Sequence, residues 1–221
     1  MIERATGFVL RTRPLTETSL IVHWLTPELG RVATVAKGAR RPKSPFRGKL
    51  DLFYSATFSF HRSRRSSLHT LREVVLLNPH VALRTDWVKL RQATYAVLLI
   101  EQVTEEETPL PELHALLAEL LDTLGANPAR AELLPAFELK LLAVSGLAAG
   151  GPTSRLSRAV NTLAESLTVR SLAETAQSAE APAEQAELAQ FLHGFMSYHL
   201  GRIPSGRDRA LGGSKRSVPR G

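Results

Sequence analysis

Two periodicities divide the chain. Up to Leu77 the apolar and β-branched residues come in short runs, at Gly7–Arg11, Ser19–Thr26, Arg31–Lys37, Leu52–Phe60 and Leu68–Leu77. Breakers separate them at Arg13-Pro14, at Pro27-Glu28-Leu29-Gly30, over the segment 37–49 and over the segment 61–66. The fourth run alternates most cleanly. Leu52, Tyr54, Ala56, Phe58 and Phe60 share one face, while Ser55, Thr57 and Ser59 take the other, together with Phe53. The second run is apolar on both faces, as suits a strand covered inside and out. No helix-length spacer lies between the runs, so five short strands predict a small closed barrel, an OB fold, and not a βαβ sheet.

From residue 81 the spacing becomes helical. Thr85 or Asp86 can cap a helix that runs to about Val103, with an apolar centre from Tyr95 to Ile100. Thr108-Pro109 opens a second helix ending at Gly125, and Asn127-Pro128 opens a third stopped by Gly146, with Pro135 expected to kink it. After a Gly-rich break at 146–152, helices are expected over 154–167, 169–178 and 183–200. The class is α+β: an N-terminal five-stranded OB-fold barrel over 1–80, an all-helical domain over 81–202, and a basic, mostly flexible tail over 203–221.

Charge follows the same division. Residues 1–80 hold 14 Lys/Arg against 5 Asp/Glu, residues 81–200 hold 8 against 15, and residues 201–221 hold 6 against 1. The first segment and the tail attract anions, and the middle repels them. Between Lys37 and Lys49 the chain reads KGARRPKSPFRGK, thirteen residues with six cations and no acid. Two prolines and two glycines bar a regular helix or strand, which leaves a flexible cationic loop suited to a polyphosphate backbone. A solvated charge cluster is the bland alternative. It weakens because Arg11, Arg13, Arg62, Arg64 and Arg65 lie at strand ends in the same module.

The expected nucleic-acid contacts are therefore Arg11, Arg13, Lys37, Arg40, Arg41, Lys43, Arg47, Lys49, Arg62, Arg64 and Arg65. Phe46, within the loop, and Phe53, on the polar face, are the candidates for base stacking, with core packing as the alternative for each. Arg202, Arg207 and Arg209 are candidate contacts from the tail.

Catalytic chemistry finds no support. The chain has no cysteine, which excludes disulfides and thiolate-ligated metal. His193 and His199 lie six apart, on different sides of a helix, and no phosphate-cradling loop or nucleophile elbow is present. Glu105, Glu106 and Glu107 read as a solvated acidic corner between helices. No run is apolar and long enough to cross a bilayer, and the first residues lack the apolar core of a signal peptide, so a cytoplasmic protein is expected.

Several motifs in order carry a resemblance. Gly7-Phe8-Val9-Leu10-x-x-Arg13-Pro14, Glu17-Thr18-Ser19-Leu20, Gly30-Arg31 and Val35-Ala36-Lys37-Gly38-Ala39-Arg40 lead. Phe137-Glu138-Leu139-x-Leu141-Leu142 and His199-Leu200-Gly201-Arg202 follow. Together they resemble the RecO recombination-mediator family over about the whole chain. The resemblance implies an OB fold with a helical domain, and a non-catalytic role in bacterial DNA repair. It implies binding of single- and double-stranded DNA and annealing of strands coated by single-strand binding protein (SSB). It further implies a contact with the SSB C-terminal tail through the helical domain, joint action with RecR to load RecA, and a place at the nucleoid. Lys89, Arg91, Lys140, Arg155 and Arg158 are possible donors to that acidic tail. The chain departs from the family in lacking the cysteines of its zinc site, so no cofactor is expected. It departs again near the end, where Ser205-Gly206-Arg207 is one basic residue short. Two rival readings remain: an OB-fold RNA-binding module in translation or ribosome assembly, and a pure protein adaptor.

Overall fold

Five strands form where the β-branched runs predict them: β1 (Ile2–Pro14), β2 (Leu20–Thr26), β3 (Gly30–Ala36), β4 (Ser55–His61) and β5 (Leu68–Asn78). They close into a barrel in the order β1-β2-β3-β5-β4. β3 and β5 pair in parallel and every other neighbouring pair is antiparallel, giving the OB arrangement. The computed structural model describes residues 1–147, 156–178 and 181–212. The latter part of the Gly-rich break, Arg155 and the tail beyond residue 212 lie outside the described residues.

The barrel core follows strand alternation. Ala5 and Val9 of β1, Val22 and Trp24 of β2, Val32 and Ala36 of β3, Ala56, Phe58 and Phe60 of β4, and Leu71 and Val74 of β5 fill it. Trp24 stacks on Phe58 at 4.0 Å between ring centroids, and its indole N–H donates to the buried Thr34 hydroxyl at 2.8 Å. The one polar atom of the largest core side chain is thereby satisfied. β1 starts earlier than Gly7, because Ala5 enters the core while Arg4 and Thr6 stay in solvent. At Gly7 only glycine fits: a Cβ would come within 2.3 Å of the Leu25 carbonyl oxygen.

The chain divides into two compact units, one of Met1–Val81 with Thr104–Ala115, the other of Ala82–Val103 with the chain from Leu116 on. In the first unit, the segment from Thr104 lies against the rim where β3 begins. Gly30 has φ +65°, and a Cβ there would meet the Thr108 carbonyl oxygen at 1.8 Å. The Glu107 amide donates to the Arg31 carbonyl at 2.9 Å, and the Arg31 guanidinium donates to the Thr104 carbonyl at 2.6 Å. Glu105 and Glu106 are exposed, as expected for an acidic corner, but Glu107 is not merely solvated. It accepts from Arg62 at 2.7 Å and lies 3.0 Å from Nε2 of the buried His69. Arg62 also grips Glu3 with two hydrogen bonds, at 2.6 and 3.0 Å.

The second unit is helical: α1 (Trp87–Val103), α2 (Pro111–Ala126, its first turn in the other unit), α3 (Leu133–Val144), α4 (Arg158–Val169), α5 (Leu172–Gln177), α6 (Pro182–Leu200) and α7 (Arg207–Ala210). Asp86 caps α1, its carboxylate accepting from the Val88 amide at 2.7 Å. Ser171 and Glu174 form a reciprocal capping box on α5. α3 is the enclosed helix. Nine of its first ten residues are buried, eight of them hydrophobic or Pro, against α1, α4, α5 and α6. Pro135 does not kink it. The helix starts at Leu133, not at Asn127-Pro128, so Pro135 falls in the first turn, where an amide has no intrahelical acceptor to lose.

The ninth of those residues is Glu138, fully buried. Arg207 reaches it with two bonds of 2.6 Å, and the Tyr95 hydroxyl donates to it at 2.8 Å. Burial first, then the Glu138 charge, push the Tyr95 phenol well above its ordinary value. For Arg207 burial acts to lower the guanidinium, but Glu138 more than offsets it and holds it protonated. Residues 203–212 are therefore not loose tail: α7 is docked on α1 and closed by this pair.

Two outcomes follow. Arg207→Met strands a buried carboxylate and is expected to cost about 3–5 kcal/mol in urea denaturation. Adding Glu138→Gln should recover part of that, and no recovery would show that the pair is not the cause. At the barrel rim, the Arg62 hydrogen bond holds the Glu3 carboxyl below its usual range, against burial acting to raise it. A carboxyl lowered on folding contributes stability that is present above its unfolded value and is lost as pH falls through the folded one. Glu3→Gln is thus expected to destabilise the chain at pH 7 and to match the wild type at the lowest pH where both still fold.

Candidate nucleic-acid interface

The cationic segment is a folded cap. After β3, Gly38 takes φ +70° and starts a chain of tight turns, with amide-to-carbonyl bonds from Ala39 to Ala36, Arg41 to Gly38, Ser44 to Arg41, Arg47 to Ser44 and Lys49 to Phe46. These use the backbone polar groups that proline and glycine keep out of a regular element. Phe46, in the middle, is only 6% exposed and joins the barrel core, with Ala39, Leu50 and Tyr54 packed partly against the same cluster. The expected flexible loop is instead pinned by an apolar anchor.

That anchor sets out the charges. Lys37, Arg40, Arg41, Lys43 and Arg47 are exposed and Lys49 is half-buried. None of the six is held by a carboxylate among the described residues. Arg40 donates to the Thr16 carbonyl at 3.2 Å, and its own amide donates to Thr18 at 2.9 Å, tying the cap to the turn between β1 and β2. Arg47 donates to the Pro42 carbonyl at 3.2 Å. Carbonyls orient these guanidinium groups without neutralising them, so the cap keeps its full charge.

Arg11 and Arg13 stand near the same rim through a bulge. Val9 pairs with Trp24, but Arg11 pairs with His23 and Arg13 with Ile21, so the register slips at Leu10. Without the extra residue, positions 11 and 13 would follow 5 and 9 into the core. With it both cations face outward, Arg13 exposed and Arg11 half-buried.

Three expected contacts belong elsewhere. β4 separates the cap from the 62–67 connection, and its seven residues, about 20 Å of strand, lead from one end of the barrel toward the other. Arg64 and Arg65 are exposed at that far rim, and Arg62 is taken up by Glu3 and Glu107. The eleven cations therefore do not form one surface: eight gather at the capped end.

The stacking candidates are also corrected. Phe46 is the cap's anchor, and Phe53 is 1% exposed, so neither offers a ring face to a base. Phe53 is not in β4 at all. It holds φ +66°, its amide donates to Val9 at 2.9 Å, and its carbonyl accepts from Nδ1 of His80 at 2.8 Å. In the second unit Arg202 and Arg209 are exposed, whereas Arg207 is spent on Glu138. Lys215 and Arg216 lie outside the described residues. Nothing here fits a zinc ion: the chain has no cysteine, and among the described residues no group of three or more metal-ligating side chains converges.

Sequence reasoning passed over His23 and Arg31. His23 is half-buried on the outer face of β2, and burial first, then Arg11, Arg13 and Arg31, bring its imidazole down to about 4. Alternation alone sets His23 opposite Val22 and Trp24. Its arginine neighbours required the bulge and the strand order.

Among the described residues no helix is long and apolar enough to cross a membrane. A family model described as recombination protein O, N terminal, matches residues 1–80, and one described as recombination protein O, C terminal, matches residues 84–149. The chain is similar to the DNA repair protein RecO of Anaeromyxobacter sp. strain Fw109-5, 36% identical over 65% of this chain and 56% of that protein. It is 30% identical to that of Anaeromyxobacter sp. strain K, over 90% of this chain and 92% of that protein. It is 35% identical to that of Alkaliphilus metalliredigens, over 66% of this chain and 59% of that protein. An OB barrel, a helical unit and matches to both halves of one family agree: this chain belongs to the RecO family of DNA repair and recombination proteins.

Proposed function

We propose that the chain is a non-catalytic recombination mediator whose capped barrel end grips the phosphate backbone of single- and double-stranded DNA. The observation that carries this is the cap itself: six cations, none held by a carboxylate among the described residues, on a segment seated by Phe46. Two complementary strands repel through their phosphates. A cationic surface that releases counterions from both lowers that repulsion and favours annealing. Exposed Arg13 and half-buried Arg11 extend the surface from the cap down the barrel wall.

The finer roles rest on the family. On this reading the protein anneals strands coated by SSB, takes the SSB C-terminal tail on its helical unit, and acts with RecR to load RecA. Such a tail is acidic and ends in apolar residues, so it needs a basic rim beside a pocket. Of the donors expected for it, Arg91 and Arg158 are exposed, Lys89 is half-buried, and Lys140 donates to the Thr168 carbonyl at 2.9 Å. Arg155 lies outside the described residues.

The test is a salt titration of oligonucleotide binding. With about six phosphates neutralised, the log–log slope for a single strand should be about −4, and Arg40→Ala/Arg41→Ala/Lys43→Ala should bring it to about −2. The same triple variant is expected to lose annealing of SSB-coated strands, and full activity in it would remove the cap from the mechanism. Stronger binding to structured RNA than to DNA would point to an RNA-binding module, and retained partner binding without any DNA binding would point to an adaptor. Phe46→Leu probes the anchor separately. Every cation stays, so affinity should fall through looser positioning while the salt slope holds at its wild-type value.

A further inference from the structure

We propose that the outer aromatic face of α6 is a docking surface for a second copy of this chain, the two α6 helices lying antiparallel about a twofold axis near residue 193. The inference goes beyond the nucleic-acid reading and does not rest on it.

α6 carries two apolar stripes where a surface helix has one. Leu188, Leu192 and Met196 are buried, and the helix packs on α3 and α4. Alongside that stripe Phe191, Phe195 and His199 line up four residues apart, with ring centroids 6.0 Å apart for the first pair and 4.2 Å for the second. Tyr198 meets His199 edge-on at 5.0 Å and is 85% exposed. These rings line a groove together with Glu187 and Gly194, and among the described residues no Lys or Arg lines it. Glu187 accepts from the Ser157 amide at 2.9 Å and from the Ser157 hydroxyl at 3.3 Å. Both donors are neutral, so the carboxylate keeps its charge. A glycine inside a helix is destabilising relative to alanine, yet a Cβ at Gly194 would meet nothing within 4 Å beyond its own helix. The room that Gly194 leaves lies outside the chain, where a second helix can come close.

The occupant follows from charge and spacing. An acidic peptide or a phosphate would meet Glu187 with no cation beside it, on a stretch (81–200) that holds 8 Lys/Arg against 15 Asp/Glu, and both are repelled. A second α6 fits. Phe191 and Phe195 lie two residues either side of position 193, and Glu187 and His199 lie six either side. An antiparallel pair about that position sets each Phe191 against Phe195 of the second copy. It sets each Glu187 against His199 of the second copy, with Tyr198 next to it, and a ring N–H and a phenol O–H suit a carboxylate. Each contact is made twice, as an isologous interface requires. One helix face is a small interface, so the dimer should form reversibly at micromolar concentrations. On the nucleic-acid reading, each dimer then carries two cationic caps, one for each strand to be annealed.

The experiment is sedimentation equilibrium of the full chain without nucleic acid, from micromolar to sub-millimolar concentration. The wild type should run between monomer and dimer. Tyr198→Glu, at an exposed position, puts a like charge beside Glu187 of the second copy and should weaken the dimer roughly tenfold or more. Adding Glu187→Gln should restore most of that loss. Gly194→Ala separates packing from folding: urea denaturation should show a more stable monomer while the dimer weakens. Orientation is read with single-cysteine variants, since the chain has no cysteine of its own. Under mild oxidation Gly194→Cys, close to the axis, should give a linked dimer. Tyr198→Cys should not, because antiparallel helices hold the two copies of that position about 15 Å apart along the axis, and a disulfide spans less than about 7 Å between Cα atoms. A wild type that stays monomeric throughout, a dimer indifferent to Tyr198→Glu, or faster linking at position 198 than at 194 would overturn the proposal. So would a monomer whose Gly194→Cys thiol is shielded from alkylation by an added oligonucleotide, which would give the groove to nucleobases. A wild-type dimer that binds no oligonucleotide would support this interface and overturn the nucleic-acid reading instead.

Discussion

The seat of Phe46 in the barrel core is the contact on which the capped end depends. Six cations within thirteen residues repel one another, and a free chain of that composition would spread to separate them. Burying one phenylalanine side chain opposes that with roughly 1.5–3 kcal/mol, and the surrounding turns add backbone hydrogen bonds. The result is a cationic surface already held in place before any anion arrives. Less ordering then remains to be done on binding, which is the general advantage of a preorganised site.

Charge elsewhere in the molecule is handled in the opposite way. At the far rim, Arg62 lies between Glu3 and Glu107 and fastens the segment from Thr104 to the barrel. In the helical unit, Arg207 closes on a fully buried Glu138 and fastens α7 to the bundle. Both arginines are structural because each meets a carboxylate that is itself partly or wholly removed from water. Among the described residues, Arg40 and Arg47 of the cap meet carbonyls, at Thr16 and Pro42, and no carboxylate. An arginine on a carbonyl is placed but still charged, whereas an arginine on a carboxylate is neutralised. That difference, and not the count of basic residues, separates interface from scaffold here.

Strand runs, helix periods, capping residues and the thirteen-residue basic segment are local properties, and they were legible directly. β2, β3 and β5 fall within a residue or two of the runs that predict them, and Asp86 caps α1 as its position suggests. The partners of the charged side chains were not legible. Glu3 is 59 residues from Arg62 and Glu138 is 69 from Arg207, and nothing in the intervening sequence reports that the chain returns. Alternation carried through residues 52–54 sets Phe53 on a polar strand face, but the backbone turns there at φ +66°.

The chain's own order of residues thus determined an OB barrel followed by helices, and a concentration of positive charge in its first eighty positions, because period and composition act over a few neighbours at a time. Only the closed fold decided which of those charges stay available. A bulge at Leu10 turns Arg11 and Arg13 outward, seven residues of β4 carry Arg64 and Arg65 to the other end, and buried carboxylates claim Arg62 and Arg207. Register and long-range pairing are set by how the whole barrel and bundle bury their apolar faces, and that sum is not written at any single position.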